Sequence, residues 1–213
     1  MKKVILLLYV LVSIVDLWAI YSENRPLIFI AKSLIMPVLA GYYYYSSKTR
    51  NTAVILALSF SFLGDVLLLQ DAQDYFIMGI GSFLTAQLCY IYIFWSETRK
   101  IYWSKSWPFL LFYLGLMGFL GPDLGDFLIP MGVYGAVLSF MGITALSMYV
   151  KTKNWLFLVG ALLFIISDSS IAFSMFVWPE LNMGLWIMGT YIIAQFCLIK
   201  AILSYELETE KSK

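Results

Sequence analysis

Residues 155–178 read WLFLVGALLFIISDSSIAFSMFVW, and one aspartate interrupts them. About 20 apolar residues in a helix cross the ~30 Å hydrocarbon core of a bilayer. The stretch is long enough, and Asp168 is its only charge. Trp155 and Trp178 stand at its ends, where amphipathic rings favour the membrane–water boundary. An ionised carboxylate at the centre of such a segment costs about 2.5–3.5 kcal/mol even on a lenient insertion scale. The chain carries that cost again in FLGDVLL at 62–68, where Asp65 is the lone charge.

The rest of the chain has the same character. Of 213 residues, 62% are hydrophobic and 13% are charged. A soluble domain carries about 25% charged residues, so that class is excluded. The composition predicts an all-α integral membrane protein forming a single domain over 1–213. The net charge is +1, and no basic tract of the kind that binds nucleic acid is present. Cys89 and Cys197 both fall inside apolar runs, which argues against a disulfide framework. There is no histidine. That removes Ser–His and Cys–His nucleophiles and every His-ligated zinc site. The reading calls for neither a metal nor another cofactor. Chemistry here must run on carboxylates, lysine, tyrosine, hydroxyls and amides.

Hydropathy places eight spans, at 4–22, 27–46, 53–70, 75–96, 107–121, 127–150, 155–178 and 183–204. The fifth is short and either starts before Pro108 or tilts little. Lys2, Lys3 and the following apolar run resemble a signal peptide. Asp16 interrupts that run and no A-x-A site follows, so it reads as an uncleaved first span. Loop charges alternate. Lys48 and Arg50, then Arg99, Lys100 and Lys105, then Lys151 and Lys153 follow the even spans. The other loops hold Asp71, Asp74, Asp123, Asp126 and Glu180, with Arg25 as their one basic residue. The positive-inside rule then puts both termini in the cytoplasm. Tyr42 to Tyr45, Trp95, Trp107 and Trp186 lie at span ends and read as an aromatic belt.

Depth separates the polar residues. At 1.5 Å per residue, Asp65 and Asp168 lie roughly 18–20 Å from the cytoplasmic edge, a little beyond the midplane. Asp16 has similar depth, and a first-span aspartate could also cap or face water. Lys32 is only about 8 Å deep from the outside and could snorkel or turn inward. An ionisable residue at such depth is a functional candidate, against the plainer reading of a structural polar pair such as Lys32 with Asp65. Span four contains AQLCYI at 86–91 and span eight AQFCLI at 194–199. Gln87 and Gln195 therefore follow Asp65 and Asp168 at matched depth. The pattern suggests a 4+4 parallel internal repeat, against chance recurrence of common span residues. Gln87 with Tyr90, and Tyr191 with Gln195, each share a helix face, and in lipid those faces should turn inward. Tyr134, Leu138 and Met141 form a further stripe on span six. The expectation is one internal cavity holding Asp65 and Asp168, with Lys32, Gln87, Tyr90, Tyr134, Tyr191 and Gln195 binding or poising.

Six segments, in order, resemble a known family: AKSLIMPVLA (31–40), FLGDVLLL (62–69), FIMGIGSFLTAQLCYI (76–91), VYGAVLSFMGITAL (133–146), GALLFIISDSSIA (160–172) and YIIAQFCLIKA (191–201). They resemble the YhhN-type membrane proteins, the lysoplasmalogenase family, over nearly the whole chain. The resemblance implies an eight-span hydrolase that cleaves the vinyl-ether bond of lysoplasmalogens. The products are a fatty aldehyde and glycerophosphoethanolamine or glycerophosphocholine. It implies Lys32, Asp65 and Asp168 as functional residues. Two departures stand out: the family's Lys-Pro is Lys32-Ser33 here, and its usual span-four histidine is Gln87, which cannot titrate.

Vinyl-ether hydrolysis suits this residue set. Protonation of the β-carbon gives an oxocarbenium ion, water captures it, and the hemiacetal collapses. The steps ask for a neutral carboxylic acid and a carboxylate together, as glycosidases use theirs. The sequence does not assign the two roles between Asp65 and Asp168. The partners expected are a lysophospholipid and the surrounding lipid, in a bacterial inner membrane. A proton-coupled transporter of small molecules or lipids would use the same intramembrane carboxylates, and a non-catalytic lipid-binding protein is a third reading. The loop charges make one prediction directly: a reporter fused after Lys213 reads as cytoplasmic, and an external reading overturns the orientation.

Overall fold

The computed structural model describes residues 1–70 and 72–211. Asp71 and Lys213, both used above, lie outside them. The described residues form eight α-helices. These are α1 (Lys2–Tyr21), α2 (Arg25–Ser46), α3 (Thr52–Leu67), α4 (Gln73–Thr98), α5 (Trp103–Leu120), α6 (Leu128–Thr152), α7 (Leu156–Phe176) and α8 (Gly184–Lys211). Two 3-10 turns, Gly121–Asp123 and Gly125–Phe127, join α5 to α6. Six helices are long and apolar enough to cross a membrane, namely α1, α2, α4, α6, α7 and α8. The eight-span expectation exceeds this by two. The apolar α3 has only 16 residues, and α5 opens on the polar WSKSWP. The span-five expectation also starts too late, because α5 begins at Trp103 and carries Pro108 inside it. The Pro108 ring removes one donor, to the Ser104 carbonyl, and Ser104 is exposed at the helix start.

The helices form two compact units, Met1–Tyr90 with Ile202–Lys213, and Ile91–Ala201. The division runs through α4 and α8, whereas the repeat reading divides the chain between α4 and α5.

In the first unit, side chains cap the helix starts. Asn24 accepts from Leu27 N (3.2 Å) at α2, and Asn51 accepts from Ala53 N (2.9 Å) at α3. Each satisfies a donor that the helix leaves orphaned. Gly64 lets α3 meet α4 closely: a Cβ there would stand 2.7 Å from the Phe83 ring. Gly79 plays the reverse part, since its Cβ would stand 2.8 Å from Leu68. Small residues at such crossings let membrane helices approach, where apolar burial alone gives little drive. The far end of α8 is tied to the loop after α2. Tyr43 Oη and Ser47 Oγ donate to the two Glu206 oxygens at 2.7 and 2.6 Å, and Lys48 Nζ pairs with Glu210 at 2.7 Å.

In the second unit, α6 packs against both α5 and α7 at Gly142. A Cβ there would overlap the Phe109 ring and stand 3.0 Å from Ile165. Gly160 brings α7 against α8, where a Cβ would meet Leu198 at 2.8 Å and its backbone nitrogen at 3.0 Å. Phe94 and Phe157 meet edge to face at 5.5 Å. The α6–α7 turn uses Lys153 in the left-handed conformation (φ 60°), and Asn154 accepts from Leu156 N at 3.1 Å.

These crossings predict an asymmetry between glycines. Gly142→Ala overpacks the α5–α6–α7 contact and should cost about 1–3 kcal/mol. Gly115→Ala, with nothing within 4 Å, should leave the melting transition in detergent nearly unmoved.

Candidate functional site

Asp168 sits on α7 and is 4% exposed. Its neighbours in sequence are serines, and each hydroxyl is already used. Ser169 and Ser170 donate back to Ile165 O and Ile166 O, both at 2.7 Å. Ser167 donates to Ile187 O on α8 at 3.0 Å, and Trp186 Nε1 donates to Ser170 Oγ at 3.2 Å. These bonds fix the rotation of α7 against α8. Asp168 meets α6, where the Tyr134 hydroxyl donates to its Oδ2. Tyr134 is itself buried, two turns before Gly142 on α6.

Beside this pair is a cavity of about 10 Å³, lined by Asp168, Tyr134, Ser169, Leu116, Leu138 and others. That is close to the volume one water occupies by this measure. A carboxylate offers about four acceptor positions, of which the phenol takes one. Buried Tyr191 packs edge to face on Phe164 at 5.8 Å, and Gln195, one turn further along α8, is fully buried.

The first unit holds the other expected residues. Asp65 is 2% exposed on α3, next to the Gly64 crossing with Phe83. Gln87 and Tyr90 on α4 are both fully buried. Lys32 on α2 exerts its charge on Asp16 of α1. Asp16 has no exposed surface, and neither of its oxygens has a hydrogen-bond partner among the described residues. The sequence reading left Asp16 out of the site, allowing that it might cap or face water. A hairpin argument could have found the pair. Asp16 lies seven residues before Glu23 and Lys32 nine after it, so antiparallel helices joined there set the two at one level. The structure thus joins Tyr134 to Asp168 in one unit. Among the described residues, no three Asp, Glu or Cys side chains cluster as metal ligands would.

Residues 27–202 match the YhhN family. The chain belongs to that family. The match covers Asp65, Asp168 and every other expected site residue of this YhhN protein. Curated relatives include the lysoplasmalogenase TMEM86A of Bos taurus, 32% identical over 166 residues, which are 74% of this chain and 68% of the relative. The Homo sapiens lysoplasmalogenase TMEM86A is 31% identical over 73% of this chain and 67% of its own. Homo sapiens lysoplasmalogenase TMEM86B is 31% identical over 79% and 72%. No solved structure matches the YhhN protein.

Removing the phenol oxygen tests the Asp168 contact. Tyr134→Phe leaves a buried carboxylate short of a donor, and a hydrogen bond to a charged group is worth about 1.5–3 kcal/mol. The melting transition should fall by a corresponding margin, and an unchanged transition shows that the bond contributes nothing.

Proposed function

We propose that this protein is a membrane-embedded hydrolase that cleaves the vinyl-ether bond of lysoplasmalogens. The observation that carries the reading is the buried Asp168, held by Tyr134 beside a cavity of one water's size. Relatives at 31–32% identity that are named lysoplasmalogenases give it its substrate class. The substrate is a lysophospholipid drawn from the surrounding bilayer. The same reading keeps both termini in the cytoplasm of a bacterial inner membrane.

In this reaction a neutral carboxylic acid delivers a proton to the β-carbon of the C=C–O unit. The α-carbon becomes an oxocarbenium ion. Water adds there and loses a proton to a carboxylate, and the hemiacetal collapses with cleavage of its bond to the glycerol oxygen. Aldehyde and glycerophospho-alcohol leave, and the two carboxyls end with their protons exchanged. We assign the water-side base to Asp168, because the one-water cavity lies against it and Tyr134 fixes its orientation. The acid falls to Asp65, the other buried carboxylate expected from the sequence. A fixed negative charge near the oxocarbenium also stabilises it. Gln87 stands where the family's usual histidine would be and serves by hydrogen bonding.

Purified protein should release fatty aldehyde from a lysoplasmalogen. Asp168→Asn and Asp65→Asn should each lower that rate by roughly 10²–10⁴, the range of general acid–base catalysis, with the melting transition retained. Near-native rates in both variants remove the catalytic assignment. Absence of aldehyde, together with proton flux across vesicles that depends on the same aspartates, establishes a transporter instead.

A further inference from the structure

The α5–α6 seam carries a second, larger cavity in the same unit as Asp168. It measures about 390 Å³ and is lined chiefly by Trp103, Trp107, Leu110 and Tyr113 from α5 and by Ala136 and Ser139 from α6. Small-molecule sites run about 300–1,000 Å³, so the space is sufficient for a ligand. The lining is mostly apolar, although the buried Ser139 Oγ has no hydrogen-bond partner among the described residues. Ser106 also borders the groove, but it turns its hydroxyl back to Tyr102 O at 3.0 Å. Trp103, Trp107 and Leu110 are more than half exposed, at 66%, 61% and 57%, so the groove opens toward the surrounding lipid.

At its inner end Tyr113 separates it from the Asp168 cavity. Tyr113 lines the groove, and a Cβ on Gly135 would stand 3.5 Å from its ring. Gly135 in turn lines the one-water cavity with Asp168 and Leu116. Tyr113 therefore stands between the two spaces. From Leu116 to Trp103 is 13 residues of helix, about 20 Å, the reach of a long extended hydrocarbon chain.

We propose that this groove seats the hydrocarbon tail of the lysolipid and sets the chain length that the protein accepts. The proposal rests on the hydrolase reading. The tail runs from Tyr113 toward the start of α5, its vinyl-ether end lies at Asp168, and the Trp103 and Trp107 rings cover its last carbons. A single-chain lipid suits one such groove. The bilayer supplies it from the side, with no water-filled entrance required.

Leu110→Trp fills the outer part of the groove from an exposed position on α5, six residues or about 9 Å from Leu116, and so leaves both the core packing and the inner end alone. On hexadecenyl lysolipid its kcat/KM should fall about tenfold or more, the scale of excluding a few methylenes from an apolar pocket. On an octenyl substrate the rate should stay near wild type. Val133→Trp, exposed on α6 and outside the groove, should keep the wild-type profile. An unchanged chain-length profile in Leu110→Trp, or equal loss at both lengths, overturns the proposal while leaving the hydrolase reading intact. If wild type releases no aldehyde at all, the hydrolase reading fails, and binding decides the groove. A saturated-ether lysolipid brominated at its last carbon should then quench tryptophan fluorescence saturably. The quenching should be lost in Trp103→Phe/Trp107→Phe, and its persistence there overturns the groove assignment.

Discussion

Inside a bilayer no water is at hand, so every polar atom must find its partner within the protein. That constraint shapes this fold at each scale. Helices absorb the backbone groups. Hydroxyls within the helices turn back on the chain, as Ser13 does to Tyr9 O at 2.7 Å, Ser82 to Met78 O at 2.9 Å and Ser147 to Ile143 O at 3.0 Å. Such bonds let a helix carry serine at little cost in lipid. Carboxylates cannot be satisfied in this local way, because they accept only. Each buried aspartate needs a donor or a cation from another helix. Tyr134 answers Asp168 from α6, whereas the buried oxygens of Asp16 have no hydrogen-bond partner among the described residues.

Close packing then does what hydrophobic burial does in water. Lipid tails are as apolar as leucine, so helices gain from touching one another mainly through fit. The glycines at 64, 142 and 160 mark the places where that fit is tightest. One of these, Gly64, adjoins the buried Asp65 in sequence, and another, Gly142, shares a helix with Tyr134, the hydrogen-bond donor to Asp168. The arrangement holds a polar group by packing its apolar neighbours, which keeps a carboxylate still in surroundings that would otherwise expel it.

The helical class and the two deep aspartates were legible in the sequence because hydropathy and charge report directly on the bilayer. The YhhN family was legible by resemblance, through six segments in order. What escaped depends on which helix packs where. Tyr134 entered through its spacing with Leu138 and Met141, but its bond to Asp168 needs α6 and α7 side by side. The burial of Asp16 needs the α1–α2 hairpin. The groove lined by Ala136 and Ser139 depends on volumes left between α5 and α6, and no residue pattern encodes a void. Helix ends escaped for a different reason. Span five, placed from 107, begins at Trp103 because Pro108 is accommodated near an exposed helix start, and α8 runs past 204 because Tyr43, Ser47 and Lys48 hold its polar end.

The latch on Glu206 bears on how the protein is made. One compact unit takes its first ninety residues from the start of the chain and completes itself with residues from Ile202 onward. At about 5–20 residues per second, translating the intervening 91–201 segment takes on the order of ten seconds. During that interval α1, α2 and α3 are already in place while the partner for Tyr43 and Ser47 has not yet left the ribosome. The second unit is continuous in sequence but also needs α8 as far as Ala201, five residues before Glu206. Both units therefore wait on the last helix to be made.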